Sequence, residues 1–515
     1  MARGDRIMTT EDFISLPDMI AEHARVRPAN VALIEGERLL NYAELDAAMD
    51  RVATALQREG LAPRDSIAIC AASSVDYACV FLGALRVGVA VAPIAPSSTA
   101  DSIVSMVEDC GARLFFLDRA VAEAMGDKVK SIKAKLVALD AGAPGAPYAQ
   151  FIAPEGTTPA PVAITPDMAF NIIYSSGTTG TPKGIVQSHG MRFGHTGRAA
   201  PLGYGPEAVT LLSTPLYSNT TLVSFFPTLG LGGTVVLMKK FDAGEYLKLA
   251  QKHRATHTML VPVQYSRLMA REDFDQYDLS SFVMKFCTSA PFAAALKADV
   301  LKRWPGGLIE YFGMTEGGGT CMLVAHAYPD KLHTVGQPAP GHDIRVIDED
   351  GKELPRGEIG EIVGRSELMM SGYHNRKEQT DAAIWISPEG LPFIRTGDVG
   401  RFDADGFMEL MDRKKDMIIS GGFNIYPSDL EAVLRQHPDV ADVAVVGVAS
   451  AEWGETPVAF VVSRGADAET LRAFANERVG KTQRLSAVEL IDELPRSHIG
   501  KILKRELRDA YAARR

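Results

Sequence analysis

Short apolar runs recur along most of this chain, and the stretches between several of them carry helical periodicity. Runs at 66–70, 112–117, 169–174, 235–238, 258–261 and 283–287 are bounded by polar or turn-forming residues. Runs of that length read as strands buried on both faces. Helical stretches at 75–87 and 244–253 follow two of them. Strands alternating with helices predict an α/β fold whose sheets are largely parallel and covered by helices. Ahead of the first run, Asn41 and Glu44 have capping-box spacing. Tyr42, Leu45, Met49, Val52 and Leu56 then recur at the helical period, and Gly60 supplies the stop.

The texture changes from about Asp343, where turn signals at Asp350-Gly351, Arg356-Gly357 and Asp405-Gly406 separate short strands. This predicts a β-rich part closing a large N-terminal domain, 1–412. The remaining residues, 413–515, read as a small α+β domain, with helices at 428–436 and 468–479 and strands near Val443, Val458 and Val488. The charge cluster Asp412-Arg-Lys-Lys-Asp416 is the expected boundary. Residues 141–161, rich in Ala, Pro and Gly, read as a surface loop.

The most specific chemistry lies in Tyr174-Ser-Ser-Gly-Thr-Thr-Gly-Thr-Pro-Lys183-Gly184, directly after an apolar strand. Ser175, Ser176, Thr178 and Thr179 offer hydroxyls to oxyanions, and Lys183 adds a point charge. Gly177, Gly180 and Gly184 let the backbone turn and approach. A polyphosphate needs this combination. The Walker A pattern does not fit, because Pro182 precedes the lysine and Gly184 follows it.

With 54 Lys+Arg against 64 Asp+Glu, the net charge of −10 argues against a nucleic-acid partner. The longest apolar stretch, 79–96, is interrupted by Arg86 and Gly88 and reads as a buried helix and strand, so no integral membrane span is expected. A polar N-terminus and five cysteines without CxxC spacing suit reduced thiols in a cytoplasmic protein. His253 and His257 are four apart, but Arg254 stands where a zinc-protease helix needs Glu, so no metal site is read there.

Four further segments follow the phosphate loop in a fixed order: Tyr311-Phe-Gly-Met-Thr-Glu316, Arg395-Thr-Gly-Asp398, Asp412-Arg-Lys-Lys-Asp416 with Ser420-Gly-Gly-Phe-Asn424, and Pro495-Arg-Ser-His-Ile-Gly-Lys501. Together they resemble the adenylate-forming family of acyl-CoA synthetases, peptide-synthetase adenylation domains and firefly-type luciferases. The resemblance spans nearly the whole chain. It implies ATP, Mg2+ and coenzyme A as the small molecules used. Tyr311, Phe312, Gly313 and Met314 fall in its adenine segment. Phe312 offers an aromatic face, Thr315 a donor to the α-phosphate and Glu316 a hard oxygen ligand for Mg2+. Asp398 can accept both ribose hydroxyls, and Arg413 can donate to the same sugar. The resemblance further implies that Lys501 swings into the site and bridges the carboxylate and α-phosphate oxygens. It places the hinge of a mobile lid at Lys415 and a thiol channel at Gly421 and Gly422.

The implied reaction has two steps. A carboxylate attacks the α-phosphorus of ATP, and a thiol then attacks the mixed anhydride. Pro215-Leu-Tyr-Ser-Asn-Thr-Thr221 resembles the segment that lines the family's acid pocket, which implies Tyr217, Ser218, Asn219 and Thr221 as lining residues. Ser289, Ala290, Met314 and Gly317 supply other walls. These segments hold no Lys or Arg, so a second substrate carboxylate lacks a partner, and Gly317-Gly-Gly319 is expected to open space. A neutral-tail aryl or medium-to-long acyl acid is therefore the expected substrate of an acid–CoA ligase, acting as a monomer or homodimer. A stand-alone enzyme loading a carrier protein is one alternative, and a non-catalytic acyl-adenylate or nucleotide-binding protein is another. The absence of a carrier domain in the sequence favours coenzyme A.

Overall fold

The computed structural model describes residues 12–175, 183–413, 416–420, 423–450, 453–480, 483–497 and 502–514, without the side chains of Ser175, Phe423 and Asn424. It forms two compact units. The first holds residues up to Leu332 together with 339–343 and 365–394. The second holds 333–338, 344–364 and 395–515.

Two helix-covered sheets build the first unit. In one, the strands Lys183–Ser188, Ala169–Ser175, Ala90–Pro93, Ser66–Cys70, Leu114–Leu117 and Lys135–Ala138 lie side by side in that order. All of these neighbours are parallel except the hairpin pair 169–175 and 183–188. The other sheet orders Thr320–Val324, Gly307–Gly313, Met284–Cys287, His257–Leu260, Val209–Leu212, Thr234–Leu237 and Val31–Glu35. Its strands are parallel from Gly307–Gly313 through to Val31–Glu35. The strand–helix alternation of the sequence thus becomes parallel sheets, with antiparallel pairs where the site residues sit.

Helices Tyr42–Arg58, Val75–Arg86 and Asn219–Gly230 contribute the apolar layer of the main core. The predicted capping box is present: Asn41 Oδ1 accepts from the Glu44 amide at 2.8 Å, and Glu44 Oε2 accepts from the Asn41 amide at 2.8 Å. Such a cap contributes about 1 kcal/mol. Phe81, Phe170 and Phe226 meet in the core, with ring centroids 4.8–6.1 Å apart, and join two helices to the strand that leads into the phosphate loop. No helix among the described residues is long and apolar enough to cross a membrane. All five cysteines are buried free thiols.

The 141–161 segment departs from its expected loop. Ala146–Pro147 adds an edge strand, and Tyr148–Phe151 forms a helical turn. Phe151 is buried edge-on against Phe116, with centroids 5.4 Å apart. One aromatic anchor outweighs the loop-forming composition around it.

In the second unit, residues 398–402 of the strand Pro392–Phe402 pair antiparallel with Met408–Arg413. The C-terminal part is a sheet ordered Phe423–Ile425, Ile418–Ser420, Gly454–Ser463 and Val440–Ser450, with Ala487–Leu490 parallel to Gly454–Ser463. Helices Pro427–Leu434 and Ala468–Asn476 carry one apolar layer, and Lys504–Ala512 packs with another. Ser428 donates its amide to Asp412 Oδ2 at 3.0 Å, so the expected boundary cluster is bonded into the helix start that follows it.

Candidate active site

The phosphate loop is carried by an antiparallel hairpin whose last paired residues are Ser175 and Lys183. Tyr174 fixes one flank by donating to Asp109 Oδ2 at 2.7 Å, and Arg376 holds Asp109 Oδ1 at 2.7 Å. Ser176, Gly177, Thr178, Thr179 and Gly180 lie outside the described residues. Gly184 has a different role from the one expected of it. It lies in the strand opposite Tyr174, where a Cβ would come within 2.7 Å of Ile172 Cγ2, so it is small for packing.

Lys183 Nζ stands 5.2 Å from the centroid of the Tyr373 ring. That tyrosine donates to Glu316 Oε1 at 2.9 Å. The Glu316 carbonyl accepts from the Met370 amide at 2.8 Å, which fixes the residue from its main chain as well. Burial, with the Glu316 carboxylate beside it, holds the Tyr373 phenol above its usual range and keeps it a donor. The sequence alone gave no sign of Tyr373, because it lies 57 residues from Glu316 and in no motif.

Gly307–Gly313 carries the adenine segment on an edge of the parallel strands, paired with Thr320–Val324. Alternation sends its side chains to opposite faces. Tyr311 stacks on Phe286 at 5.9 Å and packs against the core, Phe312 is half-buried like it, and Gly313 is exposed. The Phe286 ring thus covers Tyr311, and strand alternation turns Phe312 to the opposite face. Below it, Glu310 and Lys297 form a buried ion pair.

Thr315 is held through its carbonyl, which accepts from Gln187 Nε2 at 2.7 Å. Gln187 is part of a buried polar cluster with Asn171, Arg192 and Asn219. Arg192 donates to Asn171 Oδ1 from Nε at 3.1 Å and from Nη2 at 3.0 Å, to Asn219 Oδ1 at 2.9 Å, and to Gln187 Oε1. The acid segments hold no basic residue of their own, but the fold brings Arg192 against Asn219 from another helix. Burial lowers the Arg192 guanidinium to about 9, still charged at neutral pH.

In the acid segment, Ser218 precedes the helix Asn219–Gly230. Thr220 Oγ1 and Ser289 Oγ lie 2.6 Å apart, joining two predicted walls. Ser289 sits at φ +83°, a conformation uncommon for a residue with a Cβ. Thr221 turns away and donates to the Pro215 carbonyl at 2.7 Å. Ala290 adjoins Ser289 and is half-buried, as are Tyr217 and Met314. Met314 packs with Ile185, Met370 and Ile394. Gly317 opens no space. It lies at φ +74°, and a Cβ there would sit 2.1 Å from the Leu368 carbonyl oxygen, so the missing side chain is already filled by backbone.

In the second unit, Asp398 and Arg413 are register partners, and Arg413 Nε meets Asp398 Oδ1 at 2.7 Å. The Asp398 amide donates to Thr396 Oγ1 at 3.0 Å. Arg395, first residue of the same motif, is bonded to Glu361 through Nη2 at 2.9 Å. Lys415, Gly421, Gly422 and Lys501 lie outside the described residues. Among the described residues no group of three or more His, Cys, Asp or Glu is placed to hold a metal ion. Glu316 is a single hard oxygen donor. That suits Mg2+, which keeps few protein ligands and takes others from substrate phosphates.

Taken unit by unit, a phosphate-loop hairpin with an acidic residue after an aromatic strand end, and an Asp–Arg pair on a β-rich sheet, suit an ATP-dependent adenylate-forming enzyme. Comparison with known proteins agrees. The AMP-binding enzyme family matches residues 20–374, and the AMP-binding enzyme C-terminal domain matches 429–501. The chain belongs to this adenylate-forming family, in its acyl-CoA ligase branch. It is an acid–CoA ligase that uses ATP.

A rice (Oryza sativa subsp. japonica) protein named 4-coumarate–CoA ligase-like 9 is 32% identical, over 98% of this chain and 94% of its own. The indoleacetate–CoA ligase of Aromatoleum aromaticum is 32% identical, over 97% of this chain and 98% of its own. Among solved structures, ATP-bound MatB from Rhodopseudomonas palustris superposes with a TM-score of 0.86 at 28% identity. That match covers 97% of this chain and 99% of MatB.

Proposed function

We propose that this ligase activates a carboxylic acid with an uncharged tail, aryl or medium-to-long acyl, and passes the acyl group to coenzyme A. The observation that carries this reading is the chemistry of the acid segment. Ser218, Asn219, Thr220, Ser289 and Met314 supply hydroxyl, amide and apolar surface and carry no charge to pair a second carboxylate, while the buried Arg192 that meets Asn219 is engaged by the amide oxygens of Asn171, Gln187 and Asn219. Burying an unpaired charge costs several kcal/mol, so a charged tail is selected against. The relatives named for 4-coumarate and indoleacetate support an aryl acid.

The residues divide the work of the first step. Phe312 stacks the adenine, and the Asp398 carboxylate, oriented by Arg413, accepts from the ribose hydroxyls. Lys183 and the loop hydroxyls bind phosphate oxygens, and Thr315 donates to the α-phosphate. Glu316, held by Tyr373, would hold Mg2+, which would neutralise charge on the phosphates. Lys501 stabilises charge building on the carboxylate and α-phosphate oxygens as the acid oxygen displaces pyrophosphate. In the second step the coenzyme A thiol, entering past Gly421 and Gly422, displaces AMP from the acyl carbon.

The test is pyrophosphate release over a panel of neutral aryl, neutral acyl, dicarboxylic and amino acids, with and without coenzyme A. The expected outcome is release with a neutral-tail acid and a thioester when coenzyme A is added. Malonate or an amino acid as the best substrate overturns the acid assignment. Adenylate formed but transferred only to a carrier protein overturns the acceptor.

A further inference from the structure

Arg192 carries a full positive charge in the interior of the first unit, and among the described residues no carboxylate pairs with it. Every oxygen it meets belongs to an amide side chain: Asn171, Gln187 and Asn219. Its Cζ lies 5.4 Å from the ring centroid of Phe226 and 5.8 Å from that of Phe170, between aromatic faces. Burying a guanidinium this way is costly, and a packed apolar side chain would be the cheaper filling. The charge is kept at a place where three functional segments meet. Gln187 lies on the strand that begins at Lys183, Asn219 begins the acid helix, and Thr315 precedes Glu316.

The hydrogen bonds have a direction. Arg192 Nη2 and Asn171 Nδ2 both donate to Gln187 Oε1, the latter at 3.0 Å. With two donors on its oxygen, the Gln187 amide cannot flip. Its Nε2 is therefore turned toward the Thr315 carbonyl, which it meets at 2.7 Å. The same Nη2 holds Asn219 Oδ1 at 2.9 Å. The planar fork of a guanidinium holds its donors in fixed directions, whereas the donors of a lysine ammonium rotate about its last bond.

We infer that Arg192 is a positioning residue for adenylation, acting through Gln187 on Thr315 and through Asn219 on the acid helix, so that the phosphate and acid segments keep one fixed relation. The inference rests on the acid–CoA ligase reading for its kinetic arm and stands apart from it in its structural arm. Arg192 is 2% exposed, so its effect is exerted through the amides it holds. A displacement of about 1 Å at a reacting group can cost on the order of 100-fold in rate.

The test uses Arg192→Lys, which keeps the charge and loses the fork, Gln187→Met, which keeps the volume and loses the amide, and the double variant. Each is assayed for acid-dependent pyrophosphate release, for melting temperature, and for amide hydrogen exchange at 313–319 without substrates. Each single variant should lower kcat for adenylation about 10- to 100-fold, with KM for acid and ATP changed less. Exchange at 313–319 should rise while the core helix Val75–Arg86 stays protected. The double variant should be no worse than the poorer single one, because both break one relay.

Wild-type kcat with unchanged exchange overturns the inference, as do additive losses in the double variant. A rise in exchange spread over the whole unit also overturns it, since that marks general loosening. If the wild-type protein releases pyrophosphate with no acid of the panel, the ligase reading fails, and the exchange comparison still decides the role of Arg192. Should Arg192→Lys not fold, Gln187→Met alone carries the comparison.

Discussion

Tyr373 donates its phenolic proton to Glu316 across 2.9 Å, and the same tyrosine's ring lies 5.2 Å from the Lys183 ammonium. One side chain thus sets both the acidic residue of the adenine segment and the lysine of the phosphate loop. A hydrogen bond to a charged group contributes about 1.5–3 kcal/mol, and a cation over an aromatic face adds roughly 0.5–2 kcal/mol. Tyr373→Phe keeps the ring and removes only the donor. It should slow adenylation about tenfold at limiting Mg2+ and recover in part as Mg2+ is raised. The full Mg2+ titration of pyrophosphate release checks this, and a rate unchanged at every concentration contradicts it.

Glu316→Gln removes the charge itself. It should depress adenylation more steeply than Tyr373→Phe, by roughly 100-fold or more, because a charged ligand is lost rather than oriented. Near-normal pyrophosphate release by this variant at low Mg2+ would sink the metal-ligand assignment.

The two half-reactions should separate at Lys501. Lys501→Ala is expected to lose roughly 10²–10⁴-fold in adenylation, the range of a positioned catalytic group. It should still convert supplied acyl-adenylate and coenzyme A to thioester. Lys415→Pro, at the resemblance's hinge position, should show the reverse, since a fixed φ restrains rotation. Both steps measured in both variants, with melting curves, test this; equal proportional loss of the two steps in both speaks against two lid poses.

Gly317→Ala should impair the site although it adds a single methyl. That methyl would lie 2.1 Å from the Leu368 carbonyl oxygen, and φ is +74°. The backbone of 316–317 must shift, carrying Glu316 with it. The expected result is at least a tenfold loss in adenylation and a lower melting temperature, as strain of this kind costs on the order of 1–3 kcal/mol. A gain of activity toward smaller acids, with stability intact, would instead mark Gly317 as open pocket.

Stability should fall as the solution is acidified from pH 6.5 to 4. Burial holds the His189 imidazole down at about 4, and burial with Arg198 nearby holds His342 at about 4. Burial, with Arg192, Arg198 and His342 nearby, also keeps His195 well below its usual range. These rings are neutral in the fold and titrate near 6.5 when unfolded. Below that pH the unfolded chain therefore binds more protons, and stability is lost down to the folded values. His189 accounts for about 3 kcal/mol at most. Melting temperature against pH should flatten measurably in His189→Phe, which keeps an aromatic edge near Phe170. An identical slope in the variant and the wild type contradicts the assignment.

Much of this protein was legible in its sequence, for reasons of range. Periodicity, caps and turn glycines are set by neighbours a few residues apart, so the alternation of strands and helices and the Asn41–Glu44 box followed from local chemistry. The phosphate loop crowds several functional groups into one short stretch, whereas the segments ending in Glu316, Asp398 and Lys501 take their meaning from the family resemblance that their common order carries. Contacts between distant segments were not legible. Phe151 anchors a stretch that composition alone reads as loop, Gly317 closes against backbone where a cavity was expected, and Gly184 is small to fit Ile172 and Tyr174. Tyr373 and Arg192 sit in no motif. Their partners lie on other elements, so only packing of those elements decides what their donors meet.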